Sequence, residues 1–257
     1  MLLQRSSRAF LGVSTLLFAG SVALTVAWCN SMSMMHVMPM PGGWNMSMMW
    51  MRMPGQTWPG AATTFMSMWL VMMVAMMLPS LLPMLVRYRR CAVRTGSTHL
   101  DSLTALVSAA YFAIWMLFGA AAFIVGMTLA SLEMEYSALA GAVPLAIGVV
   151  VLIAGALQFT AWKAHQLACC RGARECCQTL PATALAAWRH GLRLGVHCVH
   201  CCFGLTVVLL VIGMMDLRAM AAVTAAICVE RLAPGGARVV GVVTIVTGAF
   251  LVVHALG

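Results

Sequence analysis

A chain of 257 residues in which only 8% are charged and 63% are hydrophobic, at a mean hydropathy of +0.97, cannot cover a water-soluble surface with polar groups. That excludes a soluble globular protein and leaves an all-α, polytopic helix bundle in contact with the lipid bilayer. The net charge of +9 is accordingly read as a topology signal, with no nucleic-acid partner implied.

Seven apolar runs are long enough, or nearly so, to cross ~30 Å of hydrocarbon as helices: 10–28, 61–86, 103–130, 139–161, 194–212, 214–229 and 239–256. With the N-terminus inside, 13 of the 15 Lys and Arg fall in cytoplasmic segments and only Arg52 and Arg218 lie outside. The positive-inside rule then predicts an N-in, C-out topology. The sixth run is the weakest, being short and crowded at its outer end by Asp216 and Arg218.

The first run, behind the basic start QRSSR, reads as a membrane anchor over residues 1–28. Trp28 stands where a signal-peptide cleavage site wants small residues; a cleaved signal would leave six spans. Residues 29–60 follow as a Met-rich extracytoplasmic segment with ten methionines between Met32 and Met53. Met32, Met34, Met35 and His36, then Met46, Met48, Met49, Met51 and Met53, are spaced like the M-x-M and M-x-x-M clusters of periplasmic copper-binding proteins and copper-transporter ectodomains. Thioethers select Cu(I) over hard cations and stay ligands where thiols would be oxidised. The plainer alternative is an interfacial loop, a depth that its tryptophans favour.

The second run, MSMWLVMMVAMMLPSLLPM over 66–84, carries seven of the 24 methionines. At helical spacing Met68, Met72 and Met76 form one stripe and Met73, Met77 and Met84 an adjoining one. Pro79 and Pro83 each remove a backbone hydrogen bond and predict a kink. Methionine is also an ordinary core filler, so the stripe has either a packing or a ligand role. Spans three and four offer only Glu133 and Glu135 in a short outer loop, best read as solvated.

A Cys-rich cytoplasmic loop spans 162–193 and includes Cys169, Cys170, Cys176 and Cys177. Span five then opens on HCVHCC, with His197, Cys198, His200, Cys201 and Cys202 packed into six positions. Ionisable groups inside a span mark function, and thiolate with imidazole suits Cu(I), with zinc as the alternative. The reducing side of the membrane predicts free thiols and no disulfides. No nucleophile with a base, P-loop or phosphorylation motif is present, and the six acids are scattered, so no catalytic role is expected.

Three motifs carry a resemblance: W-x-x-M-x-x-A-M-M-L-P-S-x-x-P-M from Trp69 to Met84, K-x-x-x-L-x-x-C-R from Lys163 to Arg171, and C-x-x-C-C from Cys198 to Cys202. They resemble the bacterial family of predicted metal-binding integral membrane proteins, a domain of unknown function, over residues 61–257. Gly213, Met214, Met220 and Glu230 are similar to its following stretch, whereas Gln166 stands where the family carries a cysteine and His200 where it carries a glycine. The resemblance implies a six-helix metal-binding domain in the bacterial cytoplasmic membrane.

Two functions are expected from these residues. One is a Cu(I) handler that captures the ion on the outer loop and relays or stores it along the methionine stripe and the span-five thiols. The other is a non-transporting accessory or assembly subunit of a copper enzyme. Either fits a soluble metallochaperone or copper-enzyme partner, and a homo-oligomer is compatible with both.

Overall fold

A computed structural model describes residues 2–33, 38–39, 44–46, 50, 55–94, 99–171, 183–233 and 235–257. They form eight helices and one minimal hairpin: α1 (Leu2–Ser33), β1 (Met38–Pro39), β2 (Asn45–Met46), α2 (Trp58–Arg94), α3 (Leu100–Glu135), α4 (Ser137–Leu157), α5 (Ala161–Arg171), α6 (Ala184–Ile212), α7 (Leu217–Leu232) and α8 (Gly236–Leu256). The two strands pair antiparallel with Met38 opposite Met46.

Among the described residues six helices are long and apolar enough to cross a membrane: Arg8–Ser31, Trp58–Val93, Leu100–Glu135, Ser137–Leu157, Ala184–Ile212 and Gly236–Leu256. The sixth expected run, over 214–229, is also a helix but begins later, and it is not among these six. Gly213, at φ +131°, a conformation glycine tolerates and other residues rarely adopt, ends α6. Asp216 then caps α7, its Oδ1 accepting from the amides of Arg218 at 2.7 Å and Ala219 at 3.3 Å. The helix therefore begins three residues late, at Leu217, and keeps the 16-residue length of the expected run. α6 differs in the other direction. It begins at Ala184, ten residues before the apolar run, because Thr183 Oγ1 accepts from the Ala186 amide at 3.3 Å and starts the helix inside the expected loop. α2 runs as one helix through both Pro79 and Pro83.

Close helix contacts depend on missing side chains. A Cβ on Gly191 of α6 would stand 2.3 Å from the Val107 carbonyl oxygen of α3, and one on Gly195 would stand 3.0 Å from that of Tyr111. α4 and α8 meet antiparallel in the same way: a Cβ on Gly155 would lie 2.8 Å from the Ile245 amide nitrogen, and one on Gly148 2.9 Å from that of Val252. Small residues that let backbones approach are the usual basis of helix association in lipid. Large apolar side chains such as Leu117, Ile124, Val149, Val246 and Phe250 remain on the outside of this bundle, as a lipid-facing surface requires.

The core is aromatic and sulfur-rich. Trp69, Trp115, Tyr111, Met73 and Met77 are all fully buried. Trp69 Nε1 donates to the Trp115 carbonyl at 2.9 Å, and its indole stacks on Phe65 with ring centroids 5.9 Å apart. This locks α2 against α3 and sets the rotation of the methionine stripe.

Candidate metal centre

The rotation of α2 decides where its thioethers point. Met72, Met73, Met76 and Met77 are 2%, 0%, 2% and 0% exposed, so they face the interior of the bundle and not its apolar outside. Met68 is buried with them, and Met84 packs half-buried at the edge of the same core. The same contiguous core also contains Cys198, Cys201 and Cys202 of α6.

Those three thiols are buried and not disulfide-bonded, and polar groups from other helices reach the sulfurs of Cys198 and Cys202. The Arg231 guanidinium of α7 places Nη2 2.7 Å from Cys198 Sγ and 3.5 Å from Cys202 Sγ, while Nη1 donates to Ser80 Oγ of α2 at 3.1 Å. Tyr111 Oη of α3 lies 2.8 Å from Cys198 Sγ. Beside them, Lys163 of α5 donates to the carbonyl oxygen of Cys201 and pairs with Glu230 Oε2 of α7 at 2.8 Å. Side chains of α3 and α7 thus reach the α6 thiols directly, and α2 and α5 join the surrounding network.

The electrostatics follow from this list. A guanidinium never gives up its charge and a buried cation needs compensation. Lys163 pairs with Glu230, and the Arg231 guanidinium is directed at the sulfurs of Cys198 and Cys202. A thiolate at Cys198 or Cys202 pairs with that guanidinium through a charge-assisted hydrogen bond. Thiolate is also the form that binds soft metals.

The other expected ligands are placed less centrally. The helix turns ~100° per residue, so HCVHCC cannot present all its ligands to one point. His197 Nδ1 lies 3.1 Å from Gln166 Oε1 of α5, and His200 is exposed, edge-on to Trp162 with ring centroids 6.0 Å apart. Among the described residues no group of three or more His, Cys, Asp or Glu side chains is arranged around a common metal position. Cys91, at the C-terminal end of α2, is disulfide-bonded. Met32 falls in the last turn of α1, Met46 in β2, and Cys169 and Cys170 in the last turn of α5, with their side chains outside the described part. Met34, Met35, His36, Met48, Met49, Met51 and Met53 lie outside the described residues altogether.

Sequence reasoning missed Tyr111, Ser80 and Arg231 as neighbours of the thiols, used Arg231 only as a topology marker, and used Lys163 as a topology marker and a motif residue. The available signal was that Lys163, Glu230 and Arg231 abut apolar runs, where charge is costly and implies partners. No curated protein and no solved structure matches the chain. A family model, that of PpoB2, described as a copper chaperone, matches residues 66–255, which is most of the chain and includes the methionine stripe, the thiols and Arg231 alike, and the chain therefore belongs to the PpoB2 copper chaperone family.

Proposed function

We propose that this protein binds Cu(I) inside a multi-pass bundle in the bacterial cytoplasmic membrane and passes it on to a recipient protein. The outer Met-rich segment collects the ion, the buried face of α2 carries it, and the α6 thiols beside Arg231 hold it for transfer. The observation that carries this reading is the sharing of one buried core by the α2 thioethers and the α6 thiols. Sulfur ligands in a water-excluded interior select a soft monovalent ion over hard cations. The family's description as copper chaperones favours delivery over flux, and no energy-coupling motif accompanies the ligands.

The test is copper retention by the detergent-purified chain under reduction. Replacing Cys198, Cys201 and Cys202 together with Ser is expected to lower Cu(I) retention against a competing chelator at least tenfold; unchanged retention would remove the thiols from the path. Arg231→Gln keeps hydrogen-bonding capacity but removes the charge that balances a copper thiolate. It is expected to weaken Cu(I) binding roughly 10–100-fold, the usual effect of losing a group that orients ligands from behind, in the same competition titration.

A further inference from the structure

A second cluster of sulfur lies apart from the α6 thiols. A small apolar cavity at the junction of α1, α2 and the α6–α7 connection is lined by Cys29, Met68, Met72, Met214, Met215 and Met220. These come from three separate parts of the chain and bring six sulfurs to one cavity. Cys29 Sγ and Met215 Sδ are 3.8 Å apart. Two ligands each ~2.3 Å from a metal and opening at a tetrahedral angle stand roughly 3.8 Å apart, so this pair is already at bridging distance.

Thr25 supplies an independent indication. It lines the same cavity one helical turn before Cys29 and is 7% exposed. Other α1 hydroxyls turn back onto the helix, Thr15 to the Leu11 carbonyl and Ser31 to the Ala27 carbonyl, each at 2.9 Å. Among the described residues Thr25 Oγ1 has no hydrogen-bond partner. A buried hydroxyl left so is costly, and a thiolate at Cys29, four residues on, would accept from it.

We infer that this cavity is a Cu(I) site, with Cys29 and Met215 as its primary ligands and the neighbouring thioethers completing the shell. Binding exchanges the Cys29 thiol proton for the ion, so one thiolate and one monovalent cation leave the apolar cavity neutral. A divalent ion would leave a buried net charge, which such surroundings oppose. The site sits where α1 leads into the Met-rich segment, with Met72 shared by the cavity and the α2 stripe, which makes it the first buried station of the route. Gly213, with its positive φ, provides the sharp turn that sends Met214 and Met215 into the cavity.

This assignment rests on the copper reading of the chain but not on the α6 thiols, and the experiment separates the two. The full-length protein carrying Ser at Cys198, Cys201 and Cys202 is loaded with Cu(I) anaerobically and challenged with a colorimetric chelator. Residual Cu(I) is expected, with an all-sulfur shell by X-ray absorption, and Cys29→Ser is expected to weaken its retention at least tenfold. Met215→Leu, which preserves volume and folding, is expected to act in the same direction and carries the test if the serine variant does not fold. Retention unmoved by Met215→Leu and by a folded Cys29→Ser overturns the site while leaving the copper reading intact. Absence of any Cu(I) binding by the unmodified chain overturns both.

Discussion

Lys163→Met is expected to destabilise the bundle by about 3–5 kcal/mol, the cost of leaving a buried charge without its partner. Lys163 and Glu230 form a 2.8 Å ion pair with side chains only 5% and 1% exposed. Methionine keeps the length and apolar packing of the side chain, so what is lost is the ion pair with Glu230 and the hydrogen bond to the Cys201 carbonyl. Replacing both members, as Lys163→Met with Glu230→Met, removes the stranded charge and is expected to recover most of the stability, because a packed apolar pair can substitute for a buried ion pair. Equilibrium unfolding in mixed micelles measures both. A single variant as stable as the parent would show that Glu230 is not held by Lys163.

Trp69→Ala is the second large effect, at about 3–5 kcal/mol for truncating a fully buried tryptophan. The indole is 0% exposed and lies so close to α3 that a Cβ on Gly119 would stand 2.4 Å from its Cδ1. Gly119→Ala should therefore destabilise the parent by about 1–3 kcal/mol through overpacking. In the Trp69→Ala background the same change fills vacated space and adds helix propensity, so its sign should reverse. Unfolding titrations of the four variants give the coupling. Additive effects would mean that the indole does not fix the α2–α3 spacing.

Much of the fold was legible because apolar length is a direct consequence of the bilayer's thickness. The six long helices follow from runs that water cannot accommodate. The beginning of α6 was not legible. Residues 184–193 mix Trp188 and Leu192 with Arg189, His190 and Arg193, a pattern that suits a loop as well as a helix continuing beyond its apolar run. The start of α7 was placed three residues early because hydropathy cannot see that Gly213 and Asp216 displace it.

At the site, residue type was readable and orientation was not. The sulfur content of α2 and α6 suggests soft-metal ligands, yet which face turns inward depends on Gly191 and Gly195 allowing α6 to lie on α3. Tyr111 and Arg231 reach Cys198 from 87 and 33 residues away in the chain, and no local spacing encodes such meetings. Cys29 looked like the exit of an anchor, and Met214 and Met215 like the edge of a weak span; only the turn at Gly213 makes them neighbours.

The glycine-mediated contact between α4 and α8 bears on how such a protein survives its own working cycle. A carrier spends part of every round empty, and a domain stapled together by its metal unfolds at that moment, as small zinc domains do. Here α4 and α8 hold each other through backbone approach at Gly148, Gly155 and Gly248, with no sulfur in the contact. On the proposed copper role, the α4–α8 scaffold is therefore expected to stay folded whether or not metal is bound.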